Sequence, residues 1–289
     1  MSTYRKAPLP RERLEKIRIL AFDMDDTLLD AQGRLSAGNR AAILRAMEKG
    51  YHVVIATGRV FAALPRDVVA VEGVQYAVTS NGARITELRT GKVLFENLLS
   101  AAAVDAVKPW LQDDDVMVEI FFDGAVYASR SDLTHLEDFG RTSEKSRHYV
   151  LTTRTPVDDL PGLLEANKTR MENINLVMKD DEKRLRWLSE LREVPGVTVC
   201  SSTPVNIEIG DRHTSKAAAL EELAAHLNLG RENIMAFGDS SNDAQMLLCA
   251  GVGVAMGNSV PELLEMADYI APDHDADGVA YTLEHLLGI

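Results

Sequence analysis

Three aspartates stand within four positions where an apolar run stops: Ile19-Leu20-Ala21-Phe22 leads into Asp23-Met24-Asp25-Asp26-Thr27. Read as a strand, the run puts Asp23 and Asp25 on one side, because side chains alternate along a strand. Two ionised carboxylates a few ångströms apart repel each other unless a cation or a shared proton compensates. A hard divalent cation with oxygen ligands, Mg2+ above all, suits that arrangement. An acidic loop that merely ends a strand looks the same locally, so the decision falls to the rest of the chain.

The elements that must position these residues follow in order. Ser36 can cap a helix over 39–49, whose Ile43, Leu44 and Met47 fall at helical spacing before Gly50 stops it. A second apolar strand, 52–56, ends in Thr57-Gly58-Arg59. Strand, helix, strand makes a βαβ unit, so the two strands are expected parallel, with Thr57 at the same sheet edge as Asp23 and Asp25. A third strand, 76–79, ends at that edge in Ser80-Asn81-Gly82-Ala83. The rhythm returns at Lys216, which stands near the start of a helix, where a cation opposes the helix dipole and a bound anion would explain it. Strand 234–237 then ends in Gly238-Asp239-Ser240-Ser241-Asn242-Asp243, and 252–255 ends in Met256-Gly257-Asn258. Five or six parallel strands flanked by helices make a doubly wound α/β sheet, with polar loops gathered at the strands' C-terminal ends.

Between these halves the pattern changes. Strand 116–122 turns back through Asp123-Gly124 as a hairpin, and strands 197–200 and 205–209 are expected to pair. Helical stretches are expected around 132–139, 156–168 and 181–191. Hairpins mixed with helices suggest an α+β module with an antiparallel sheet. The expected organisation is an N-terminal tail (1–16), a core built from 17–85 and 211–289, and an inserted domain (86–210).

Composition narrows the classes of partner. The 289 residues carry 46% hydrophobic and 26% charged side chains, with 31 basic against 44 acidic, a formal charge of −13. Such a surface repels nucleic acid and anionic membranes, and any phosphate site needs its own local positive charge. No apolar run reaches membrane-span length. Cys200 and Cys249 form no CxxC motif, and the polar, basic N-terminus lacks an apolar signal region, so the expected compartment is the cytoplasm. His52, His213 and His274 show no metal spacing, and Asp113 to Asp115 read as a solvated loop.

Together the strand ends supply Asp23, Asp25, Thr57, Lys216, Asp239 and Asp243. Phosphoryl transfer needs a metal cage, a nucleophile, a cation on the phosphate oxygens and a hydroxyl donor. A carboxylate nucleophile needs no base, but it needs Mg2+ and Lys216 to cancel its repulsion of a dianionic phosphate. Asp25 can then protonate the departing alcohol and later deprotonate the attacking water.

The four segments Asp23-Met24-Asp25-Asp26-Thr27, Thr57-Gly58-Arg59, Lys216 and Gly238 to Asp243 resemble the four motifs of the haloacid dehalogenase superfamily. Their order and the insertion before the lysine resemble its Cof-type phosphatases, which carry a C2B-like cap. The resemblance implies an aspartyl-phosphate mechanism with Asp23 as nucleophile and Asp25 as acid and base. It implies Mg2+ held by Asp23, the Asp25 carbonyl and Asp239, with Asp243 as ligand or behind it. Thr57, Gly58, Lys216 and Asn242 would bind phosphate. The implied substrate is a small phosphorylated metabolite such as a sugar phosphate, nucleotide or cofactor precursor, and a homo-oligomer is left open. Two positions depart from the family pattern: Asp26 where glycine is usual, and Asp273 where asparagine is common. A phosphomutase on the same fold is the rival enzyme, and a phospho-accepting signalling protein is the rival outside enzymes, though receivers are too compact to hold so large an insert.

Overall fold

The computed structural model describes residues 6–71 and 74–289. The chain divides into two compact units, one of residues 1–57, 64–95 and 215–289, the other of 58–63 and 96–214. The first contains strands β1 (Ile19–Phe22), β2 (His52–Ala56), β3 (Tyr76–Thr79), β4 (Arg84–Glu87) and β5 (Lys92–Glu96). The second contributes β6 (Met117–Phe122), β7 (Ala125–Ser129), β8 (Arg154–Val157), β9 (Met171–Val177), β10 (Val197–Cys200) and β11 (Asn206–Asp211). The first unit then resumes with β12 (Ile234–Gly238), β13 (Val252–Ala255) and β14 (Tyr269–Ile270).

The first unit is built on a sheet of order β14-β13-β12-β1-β2-β3-β4-β5. From β14 to β3 every neighbouring pair is parallel, and β4 then folds back antiparallel on β3. β1 sits in the middle and is buried along its whole length, as a parallel strand covered on both faces must be. Its side chains divide by alternation. Leu20 and Phe22 join the core under the helices Ala37–Glu48 and Gly278–Leu287, whereas Ile19 and Ala21 join the core under Lys216–His226 and Ala244–Cys249. Helices on both faces make the expected doubly wound sheet. The helix after β1 is capped as expected, with Ser36 accepting from the Asn39 N–H.

Two boundaries differ from the sequence reading. Residues 86–95 belong to the first unit, because β4 and β5 extend its sheet beyond β3 instead of opening the insertion. The N-terminal segment is also more than a tail. Of its described part, Arg11–Glu15 is helical, and Arg13 holds both oxygens of Asp268, at 2.9 and 2.7 Å, and the Gly251 carbonyl. The first five residues lie outside the described ones.

The second unit is a six-stranded sheet of order β10-β11-β9-β6-β7-β8. The expected pairing of β10 with β11 is present, Cys200 opposite Glu208, and the β6–β7 hairpin turns through Asp123 and Gly124, both at positive φ. The sheet is not wholly antiparallel. β7 and β8 are parallel, because the segment between them crosses over through the helices Arg130–Leu133 and Glu144–Thr153, the second of which the sequence reading missed. Pro156, expected to open a helix, lies in β8, and the helix begins at Leu160.

One face of this sheet is apolar. Val118, Ile120, Ile174, Leu176, Ile207 and Ile209 point to one core with the helices Ala101–Val107, Leu160–Asn167 and Asp181–Arg192. The alternate positions on the other face are different. Glu119, Asn175 and Glu208 stand in one cross-strand row on β6, β9 and β11, all three buried. Asn173 and Asn206 flank the row on the same face by strand alternation.

Candidate active site

β1 ends at Phe22, and Asp23 follows at φ −62°, ψ 160°, buried. The chain then turns instead of continuing extended. Asp26 takes the left-handed conformation, φ 56° and ψ 17°, so the family's usual glycine is replaced by a residue that tolerates this region better than most. The strand-alternation argument for Asp23 and Asp25 therefore fails. Asp25 lies on the turn with its residue exposed, and its carboxylate is outside the buried cluster around Asp23.

Lys216 is that cluster's only cation among the described residues. It is 1% exposed, at the first position of its helix, and its Nζ donates to Asp23 Oδ1 at 2.5 Å and to Asp243 Oδ1 at 2.7 Å. Burial alone would lower its pKa, but Asp23 and Asp243 outweigh burial and raise it, so the ammonium stays charged. Gly82 permits this placement. A Cβ there would meet the Ser215 carbonyl at 2.2 Å, and the residue has φ +107°, so only glycine lets the turn after β3 close onto the start of the Lys216 helix.

Asp239 and Asp243 come from the turn after β12. Asp243 is fully buried, and both of its oxygens are committed: Oδ1 to Lys216, and Oδ2 to the N–H groups of Asp239 and Ser240 at 3.1 Å. Asp239 accepts from the Thr27 hydroxyl at 2.9 Å and the Ser240 hydroxyl at 2.7 Å. Thr27 and Ser240 are functional neighbours that sequence reasoning did not single out, although both stand inside the motif segments.

Crowding shows in the protonation preferences. Burial, then Asp243, push the Asp239 carboxyl up to about 6, with Ser240 and Thr27 opposing. Asp23 is raised well above the usual carboxylate range by burial, against Lys216, and further by Asp243, Asp239 and Asp25. Asp23, Asp239 and Asp243 can each place an oxygen within 4.8 Å of the others, a spacing that could hold a metal ion. All are hard carboxylate donors.

The remaining predicted residues fall around this cluster. Thr57 is buried at the end of β2, with its N–H on the Val78 carbonyl. Asn242 donates to Asn81 Oδ1 at 3.2 Å, and the Asn81 N–H donates to the Thr57 carbonyl, which ties three strand ends together. Gly58, expected beside the phosphate, is the first residue that packs with the second unit. Asn258 holds the Asp26 carbonyl at 2.8 Å and takes the His274 N–H on its own Oδ1. Asp273 caps its own turn by accepting from the Asp275 N–H, a local role. The His274 ring lies among Asp26, Asp273 and Asp275 at 3.1 to 3.8 Å. Asp113 pairs with Lys183 at 2.6 Å, and the run Asp113 to Asp115 forms no metal-spaced group among the described residues.

Residues 20–283 match the family of haloacid dehalogenase-like hydrolases, and the chain belongs to it as a Cof-type phosphatase, a phosphomonoester hydrolase. Its relatives include the 5-amino-6-(5-phospho-D-ribitylamino)uracil phosphatase YcsE of Bacillus subtilis, 31% identical over 272 residues, 93% of this chain and 95% of that protein. Phosphatase YwpJ of the same organism is 28% identical over 290 residues, 94% and 100% of the two chains. A solved haloacid dehalogenase-like hydrolase from B. subtilis matches with a TM-score of 0.81 at 28% identity, over 93% of this chain and all of that one. No helix of the described residues is long and apolar enough to cross a membrane.

Proposed function

We propose that the chain hydrolyses a small phosphorylated metabolite in a Mg2+-dependent reaction that passes through a phosphoaspartate at Asp23. The carrying observation is the contact of Lys216 with Asp23 at 2.5 Å inside a buried carboxylate cluster. The Lys216 ammonium offsets the repulsion between the Asp23 carboxylate and a dianionic phosphate, which bare carboxylates could not do. Asp23 Oδ attacks phosphorus, and the bond to the leaving oxygen breaks as Asp25 supplies its proton. Asp25 then takes a proton from water, which attacks the phosphoaspartate and releases inorganic phosphate. Thr57, Gly58 and Asn242 bind the phosphoryl oxygens, with Lys216 as their cation.

The donor set fits Mg2+, and Asp23, the Asp25 carbonyl and Asp239 would hold it. Asp243, with both oxygens engaged, serves by positioning Lys216 and the Asp239 turn. Bound there, the ion would neutralise charge on the transferring phosphoryl group. The name of the uracil-derivative phosphatase supports a substrate of metabolite size. The compartment we assign is the cytoplasm, in keeping with Cys200 and Cys249, which form no disulfide.

The test is phosphate release from a panel of phosphorylated metabolites, with and without Mg2+. Activity should vanish in EDTA and in Asp23→Asn, and fall by about 10²–10⁴-fold in Asp25→Asn. Near-native turnover by Asp23→Asn would remove Asp23 as nucleophile, and sustained phosphate release excludes a mutase.

A further inference from the structure

The polar face of the second unit is unusual in how its charges are matched. Arg154 clamps Glu119 with two hydrogen bonds, Nε to Oε1 at 2.7 Å and Nη2 to Oε2 at 3.0 Å, and both residues are buried. Asn175 gives its amide to the same carboxylate at 2.8 Å. Asn206 donates to Asn175 at 3.2 Å and to Glu208 at 2.9 Å, and the Ser202 hydroxyl also donates to Glu208. Tyr149 stacks against two guanidinium groups, those of Arg59 at 4.7 Å and Arg154 at 4.8 Å from its ring centre.

Arg141 is the exception. Its Nε is buried with no hydrogen-bond acceptor among the described residues. Its charged surroundings are Glu119, Arg154, Tyr149 and Glu208, and burial dominates them, lowering its pKa. Glu119 is already clamped by Arg154. A buried N–H of a guanidinium without an acceptor carries the full desolvation cost of that donor. The same face holds a second orphan. Asn173 is 3% exposed, two positions along β9 from Asn175, and its Oδ1 is buried with no donor among the described residues.

A buried guanidinium N–H without an acceptor is complementary to an anionic oxygen of a ligand. The wider charge balance agrees: Arg59, Arg141 and Arg154 gather here in a chain of formal charge −13. Arginine is the residue that binds carboxylate and phosphoryl oxygens in a planar fork.

We propose that the second unit binds an organic oxyanion, carboxylate or phosphoryl, at Arg141. The anion is either part of the phosphorylated substrate or a separate molecule, and only the first alternative rests on the phosphatase reading.

The test has two arms, both on the full chain. In the first, malonate, which has no phosphoryl group, is titrated calorimetrically. The wild-type and Thr57→Val proteins should bind it, and Arg141→Met should bind at least tenfold more weakly, with Arg141→Lys between them. Circular dichroism checks that each variant is folded. Equal binding by Arg141→Met, or none by the wild type, overturns the proposal. In the second arm, KM is measured for 3-phosphoglycerate, whose alcohol leaving group carries a carboxylate, and for p-nitrophenyl phosphate. If the anion belongs to the substrate, Arg141→Met raises the first KM at least tenfold more than the second. An equal change in both, with malonate binding lost, identifies a separate anion. Absence of turnover in the wild type would strike the phosphatase reading alone, because the malonate arm still decides the site.

Discussion

Replacing Lys216 by methionine removes the one cation among the described residues that faces two buried carboxylates, at 2.5 and 2.7 Å. The side-chain volume is nearly kept, so the cost is electrostatic. Deleting one partner of a buried ion pair costs about 3–5 kcal/mol, and here a single deletion strands both Asp23 and Asp243. At about 2–3 °C per kcal/mol for a chain of this size, the unfolding midpoint should fall by roughly 10 °C at pH 8 in EDTA. The loss must depend on pH. Asp23 already has its pKa raised by burial, and losing Lys216 raises it further. A carboxyl with a raised folded-state pKa loses stability as pH climbs from its unfolded value, about 4, through the folded one, and regains it on acidification. Each proton taken up returns as much as about 1.4 kcal/mol per pH unit, so the deficit should be less than half as large at pH 5.5. Added Mg2+ should also recover part of it at pH 8. The assay is thermal unfolding by circular dichroism at both pH values, with and without Mg2+. An equal deficit at pH 5.5 and 8, or none at all, would refute the account of Lys216 as the charge that holds the cluster together.

Two further outcomes are expected. The Asp239 carboxyl, pushed up to about 6 by burial, must lose its proton to hold a cation, as must Asp23, so Mg2+ affinity measured by calorimetry should weaken by about tenfold or more per pH unit below 6; a flat profile from pH 5 to 8 contradicts this. At Asp26, φ 56°, Asp26→Gly should leave the urea midpoint unchanged or raise stability by up to about 1 kcal/mol, whereas Asp26→Val should lower it by about 1–3 kcal/mol; equal midpoints would show that the turn relaxes in solution.

The first unit was legible because its strands announce themselves twice, by apolar runs and by the small polar residues that end them. Asp23, Asp239 and Asp243 converge because the parallel strands β1 and β12 put those endings at one edge, and Lys216 joins them from the helix start that Gly82 lets close onto the turn after β3. The placement of Asp25 was misread for a local reason: the strand stops at Phe22, and Asp26 bends the chain, so period-two alternation does not apply. The span of β4 and β5 was assigned to the insertion because a hairpin added to a parallel sheet has no sequence mark distinct from a hairpin elsewhere. The polar face of the second unit was invisible for a deeper reason. Glu119, Asn175 and Glu208 alternate with isoleucine and leucine, which is also the pattern of a strand with one face in water. Only the register, which sets these residues side by side, and their burial tell the two apart.

The close approach of Gly82 to Ser215 has a consequence for how the chain tolerates change. That contact, with Asn242 on Asn81, fastens the last stretch of the first unit to the part made before the interruption. Everything from Glu96 to Thr214 is then topologically a loop whose ends are fixed from within the first unit. The entropy of closing a loop grows only logarithmically, so doubling its length costs roughly 0.6 kcal/mol. Lys216 therefore reaches Asp23 at almost the same free-energy cost when a segment already this long grows longer. The interrupting segment can therefore change in length while Gly82 and Asn81 hold its two ends in place.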